Sequence, residues 1–113
     1  MITIYHNNRC SKSREGLCFL ENLNQPFEVV LYLEEHFDFN KLSHLINKLG
    51  IKPIELVRVK EKDWIENFKG KEWTDTEIIQ AMVDFPKLIE RPIVVNGNKA
   101  IIARPTERIN EIL

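Results

Sequence analysis

Apolar residues open the chain as a short run, Ile2 to Tyr5, closed by His6, and this predicts a first strand over Ile2–His6. A polar stretch follows. Leu17, Leu20 and Leu23 then recur at helical spacing, so a helix is expected from a capping Ser11 to about Leu23, where Asn24-Gln25-Pro26 stops it. Phe27–Leu33 is rich in β-branched and aromatic residues and predicts a second strand, parallel to the first because the connection is helical. Asp38 caps a helix with Leu42, Leu45, Ile46 and Leu49 on its apolar face, and Gly50 closes it. Pro53 opens a short helix, Ile54 to about Val59. Another is expected over Asp63–Phe68, and Lys69-Gly70-Lys71 forms a loop. Thr74 or Thr76 starts a helix carrying Ile78, Ile79, Met82 and Val83, which Pro86 ends.

The pattern then changes period. Pro92-Ile93-Val94-Val95 predicts a strand, Asn96-Gly97-Asn98 a hairpin turn, and Lys99–Ala103 the partner strand. Pro105 opens a last helix that ends with Ile109, Ile112 and Leu113. The order is βαβ, a helical stretch, then ββα. That order predicts an α/β fold of the thioredoxin/glutaredoxin type, one domain over residues 1–113, with a helical insertion at about 38–90 between its halves. In that fold the strand after Arg91-Pro92 is where a cis-proline stands beside the active-site thiol, and X–Pro is the bond at which a cis peptide occurs.

Composition narrows the function classes. A net charge of −1 gives no electrostatic footprint for nucleic acid or an acidic membrane surface. No apolar run approaches a membrane span. Charged and polar residues begin at His6, unlike a signal peptide, so two free thiols in a reducing cytoplasm are expected, in a monomeric protein. There is no metal-spaced Cys/His set, no Gly-rich phosphate loop and no bound cofactor to expect.

The candidate chemistry centres on Cys10. It lies where a strand ends and a helix begins, and free N–H groups at a helix start favour the thiolate. Arg9, Lys12 and Arg14 crowd the same turn, with Ser11, Ser13 and Arg14 as helix-start support. Ser13 stands where a C-x-x-C motif has its second cysteine, so a resolving thiol comes from another molecule or from Cys18. Cys18, eight residues on, is about 12 Å along a helix, beyond disulfide reach, and is expected to pack among Leu17, Phe19 and Leu20. His6 has two readings: a group that tunes the thiol or shuttles a proton, or a strand-end histidine facing solvent. Arg91 and Arg104 each precede a proline at adjoining ends of the predicted hairpin, which brings them together, and Arg58 sits in an apolar stretch. Three guanidinium forks suit a tetrahedral oxyanion; alternatively they are surface groups paired with Glu55, Glu90 or Glu107.

Tyr5-His6-Asn7, Cys10, Ser13-Arg14, Arg58, Arg91-Pro92-Ile93-Val94-Val95 and Arg104-Pro105 together resemble the glutaredoxin-dependent arsenate reductase family, in its short chromosomal branch. The resemblance covers nearly the whole chain. It implies a thioredoxin-like fold, Cys10 as the nucleophile, His6 as the histidine tuning it, and Arg58, Arg91 and Arg104 as the groups that bind arsenate. It implies glutathione as co-substrate and glutaredoxin as partner. Ser11-Lys12 replaces the Gly-Thr pair of the plasmid-borne members. The alternatives are a redox-sensing regulator of the Spx type, against which Ser13 argues, and a generic glutathione-dependent thiol transferase, which would not need the arginines.

Overall fold

Four strands form one sheet in a computed structural model that describes residues 1–113: β1 (Ile2–His6), β2 (Phe27–Leu31), β3 (Ile93–Asn96) and β4 (Lys99–Ile102). Their order is β2-β1-β3-β4. β1 and β2 are parallel, with His6 opposite Leu31; β1–β3 and β3–β4 are antiparallel. The chain divides into two units. Met1–Glu35 with Arg91–Leu113 makes the first, which holds the sheet, and His36–Glu90 makes the second. The βαβ…ββα path of the first unit is that of a thioredoxin-like fold.

In the sheet unit, helix α1 (Ser11–Glu21) carries Ser13, Gly16 and Leu20 on its buried face. Ile2, Ile4, Leu20, Val94, Ile101, Ala103, Ile109 and Ile112 form the core there, with Leu17, Phe19, Leu23 and Phe27 packed against it. Gly16 lets α1 come close to the Pro92 ring, since a Cβ at that position would stand 2.9 Å from its Cγ. Residue Cys10 is the N-cap of α1, not Ser11, which is already the first helical residue. The helix also stops short of Leu23: Asn22 is its C-cap and Asn24 turns the chain with φ of 57°. β2 ends at Leu31 and not Leu33, because the Leu31 carbonyl accepts the N–H groups of Glu34 and Glu35 and bends the chain away from the ladder.

Asn96 belongs to β3 and pairs with Lys99, so the hairpin loop is the two residues Gly97 and Asn98. Gly97, at the first turn position, has φ of 63°, the conformation such a loop requires of it. The last segment, Thr106–Ile112, is a 3-10 helix, not an α-helix. Side chains three apart align on a 3-10 helix, which sets Ile109 and Ile112 together on the core. The Asn96 side chain donates to the Ile112 carbonyl at 2.7 Å and holds that segment to the hairpin. Both Arg91-Pro92 and Arg104-Pro105 are cis.

The second unit contains α2 (Phe39–Leu49), α3 (Lys62–Asn67) and α4 (Asp75–Asp84). Asp38 caps α2 by accepting the Lys41 N–H at 2.7 Å, and Gly50 ends it with φ of 67°. α2 packs on α4, burying Leu42, Leu45 and Ile46 in the first and Ile78, Ile79, Ala81 and Met82 in the second. Thr74, not Thr76, caps α4 and forms a reciprocal capping box with Glu77. The helix at Pro53 is a 3-10 turn, Pro53–Leu56, and ends before Val59 because Val57 goes extended to bridge Ile89. Phe68 stacks on Trp64 and meets Trp73 and Phe85 edge-on. No helix is long and apolar enough to cross a membrane.

Candidate active site

Alternation along β1 sends Ile2, Ile4 and His6 to one buried face. Ser13 comes from α1, three residues before Gly16, and lies on the buried face of that helix. The two elements therefore deliver His6 and Ser13 to the same place. His6 Nδ1 lies 2.6 Å from Ser13 Oγ, and Ser13 Oγ also accepts the Asn7 backbone N–H at 3.0 Å. His6 is 3% exposed, which removes the solvent-facing reading. Burial lowers the His6 pKa below its ordinary value; a Ser13 hydrogen bond opposes this and the Arg14 charge adds to it. That direction favours the neutral imidazole. It touches Ser13, and nothing places its charge on the thiol.

The turn from β1 into α1 is held by its own polar groups. The Asn7 side chain accepts the Arg9 N–H at 3.0 Å, the Asn7 carbonyl accepts the Cys10 N–H at 3.1 Å, and Arg14 donates to the Asn8 carbonyl at 3.1 Å. These bonds fix Cys10 at the helix N-cap.

Burial pushes the Cys10 thiol pKa up. The Ser13 backbone N–H, the Arg91 charge, the Lys12 backbone N–H and a hydrogen bond from the Arg91 side chain outweigh it, and the net result lies below the ordinary thiol value. The basic residues of the turn are not what lowers it. The Lys12 ammonium pairs with Glu15 at 3.5 Å, and Arg14 is spent on the Asn8 carbonyl. Lys12 acts through its backbone, and the effective cation comes from 81 residues further along the chain.

Arg91 is buried, with its Nε and Nη1 shielded from solvent. Arg104 is exposed and donates from Nη1 to the Arg91 carbonyl at 3.4 Å. The hairpin thus brings these two arginines together, as its register requires. Arg58 belongs to the other unit, where it pairs with Glu61 at 3.1 Å and reaches the Lys87 carbonyl at 3.4 Å; its acidic partner is Glu61, not Glu55. Ser11 is exposed on the first helical turn. Cys18 is exposed, correcting the expected packing among Leu17, Phe19 and Leu20: it lies on the outward side of α1, with the Asn22 amide 3.8 Å from its sulfur. No three His, Cys, Asp or Glu side chains gather as a metal site.

Residues 5–112 match the ArsC family, and the span includes every group just described. The chain belongs to the ArsC family. It is 48% identical to YfgD of Escherichia coli strain K12, a protein described as uncharacterized, over 99% of this chain and 96% of that one. It is 40% identical to an arsenate reductase of Haemophilus influenzae, over 99% of this chain and 98% of the relative. Among solved structures, an arsenate reductase from Vibrio cholerae superposes with a TM-score of 0.94 at 41% identity, covering 99% of this chain and 97% of the other.

Proposed function

We propose that this ArsC-family protein is an arsenate reductase, coupled to glutathione and glutaredoxin, in which Cys10 is the nucleophile. The observation that carries the reading is the Cys10 thiol at a helix N-cap, lowered in pKa by backbone N–H groups and by Arg91. The same positive environment that favours a thiolate favours an oxyanion beside it. The relatives named as arsenate reductases support the choice of oxyanion.

In the proposed sequence the Cys10 thiolate forms a bond to arsenic(V), and one arsenate oxygen takes two protons and leaves as water. Arg91 and Arg104 neutralise the oxyanion while charge moves among its oxygens. A glutathione thiol then bonds to the same arsenic with loss of a second water. A glutaredoxin thiolate attacks the glutathione sulfur, and the electron pair of the sulfur–arsenic bond passes to arsenic. That step reduces arsenic(V) to arsenic(III) and oxidises two thiols to a mixed disulfide. Water displaces Cys10 from arsenic(III), releasing arsenite and restoring the thiolate. His6 is a positioning residue in this scheme: it holds Ser13, whose backbone N–H faces the sulfur.

NADPH oxidation in the presence of glutathione, glutathione reductase and glutaredoxin tests the reading. Arsenate and the protein should both be required, and Cys10→Ser, whose hydroxyl gives no nucleophilic anion at neutral pH, should be inactive. Absence of arsenate-dependent oxidation by the wild-type protein would overturn the proposal.

A further inference from the structure

Beside the Cys10 turn, in the sheet unit, lies a cavity of about 290 Å³ that the scheme above does not use. It opens past the carboxyl ends of the parallel strands β1 and β2, the position at which α/β sheets present ligand crevices. His6 at the end of β1 and Leu31 at the end of β2 face each other across the ladder and both line it.

Three features of its wall point to one kind of ligand. The first is His6, 3% exposed, whose Nδ1 is held by Ser13. Ser13 Oγ accepts the Asn7 N–H and still has its own hydrogen and a second lone pair for Nδ1, so it holds the ring in either tautomer. Nε2 has no hydrogen-bond partner within the protein, yet is not sealed from solvent; it is a polar atom on a cavity-lining residue, donor or acceptor by tautomer. The second is a pair of opposite charges, Arg9 and Glu34. Neither side chain has an ion-pair or hydrogen-bond partner, although most cations around the turn do. The third is apolar surface, contributed by Leu31 and Leu33.

We infer that this cavity is the subsite for the thiol co-substrate, and that it recognises a thiol whose far end is an amino-acid zwitterion, as in the γ-glutamyl end of glutathione. The α-carboxylate pairs with Arg9, the α-ammonium with Glu34, and the methylenes lie on the leucines. His6 Nε2 and the Asn7 amide are available to the peptide groups. The Asn7 carbonyl closes a turn on the Cys10 N–H at 3.1 Å, so the cavity wall is one turn from the reacting sulfur. The inference rests on the proposed thiol-coupled activity and deepens it.

Two measurements separate the subsite from that activity. S-methylglutathione, which cannot react, is titrated into labelled protein and followed by NMR. Shift changes should centre on His6, Leu31, Leu33 and Glu34 and weaken in Glu34→Gln. No shifts, or shifts centred elsewhere, overturn the subsite whatever the enzyme does. In the arsenate assay, Glu34→Gln and Arg9→Gln should each raise KM for glutathione about tenfold, the value of one partly solvated charge-assisted bond. KM for arsenate, and turnover with uncharged 2-mercaptoethanol, should not change. An unchanged glutathione KM in both variants also overturns the subsite. A wild-type protein inactive with both thiols would instead sink the activity proposal, and the NMR titration would still decide the subsite.

Discussion

Cys10 stands between burial, which opposes its charge, and a set of donors that favour it. At the residue scale the one side-chain cation acting on the thiol is Arg91, while Lys12 and Arg14 are engaged elsewhere. Iodoacetamide alkylation followed against pH should therefore give a midpoint below the free-cysteine value of about 8.5. Arg91→Gln should move it upward, and Arg91→Lys should restore it only in part, since an ammonium keeps the charge but not the planar fork. The sign follows from linkage: a thiol held below its unfolded pKa adds stability above the unfolded value, and that increment is lost as pH falls through the folded one. An Arg91→Gln midpoint equal to that of the wild type would show that the backbone donors suffice.

Helix α1 and strand β1 are joined at the element scale by one hydroxyl. Ser13 Oγ serves both His6 Nδ1 and the Asn7 N–H, and Ser13 itself is fully buried. Ser13→Ala leaves both groups without their partner in a place water reaches poorly. It should cost about 1–3 kcal/mol in urea unfolding, well above a surface Ser→Ala change. The turn was legible in the sequence as a strand meeting a helix. Its clasp was legible too, in principle: His6 follows Ile2 and Ile4 at a spacing of two, and Ser13 precedes Gly16 and Leu20 on one helical face. Ser11 as the cap was the wrong reading, because Ser is a favoured N-cap residue and Cys is not, while here the cap position belongs to Cys10.

For the whole molecule, the second cysteine separates an external resolving thiol from an internal one. Cys10 and Cys18 are eight residues apart on one helix, about 12 Å, where a disulfide needs Cα atoms within about 7 Å. Cys18 is exposed, so Cys18→Ser should change stability by no more than about 0.5 kcal/mol. The variant should keep most of the proposed glutathione- and glutaredoxin-coupled activity, and mass spectrometry after turnover should find arsenic or glutathione on Cys10. A Cys10–Cys18 disulfide as the main product, with a folded but inactive Cys18→Ser protein, would contradict the external-thiol scheme.

The order of helical and strand segments, the parallel pairing of β1 with β2, the β3–β4 hairpin and the helix-start position of Cys10 were written in the sequence, because local periodicity, capping and turn chemistry act over a few residues; that Pro53–Leu56 and Thr106–Ile112 are 3-10 was not. The ends of elements were not: β2 stops where the Leu31 carbonyl takes the Glu34 and Glu35 N–H groups, α1 stops at Asn22, and the turn at Pro53 stops where Val57 bridges the distant Ile89. Nor was the identity of the cation on the thiol. Arg9, Lys12 and Arg14 are near Cys10 along the chain, and Arg91 is near it in space. Charge acts through distance, and only the sheet, by laying β3 beside β1, decides that distance.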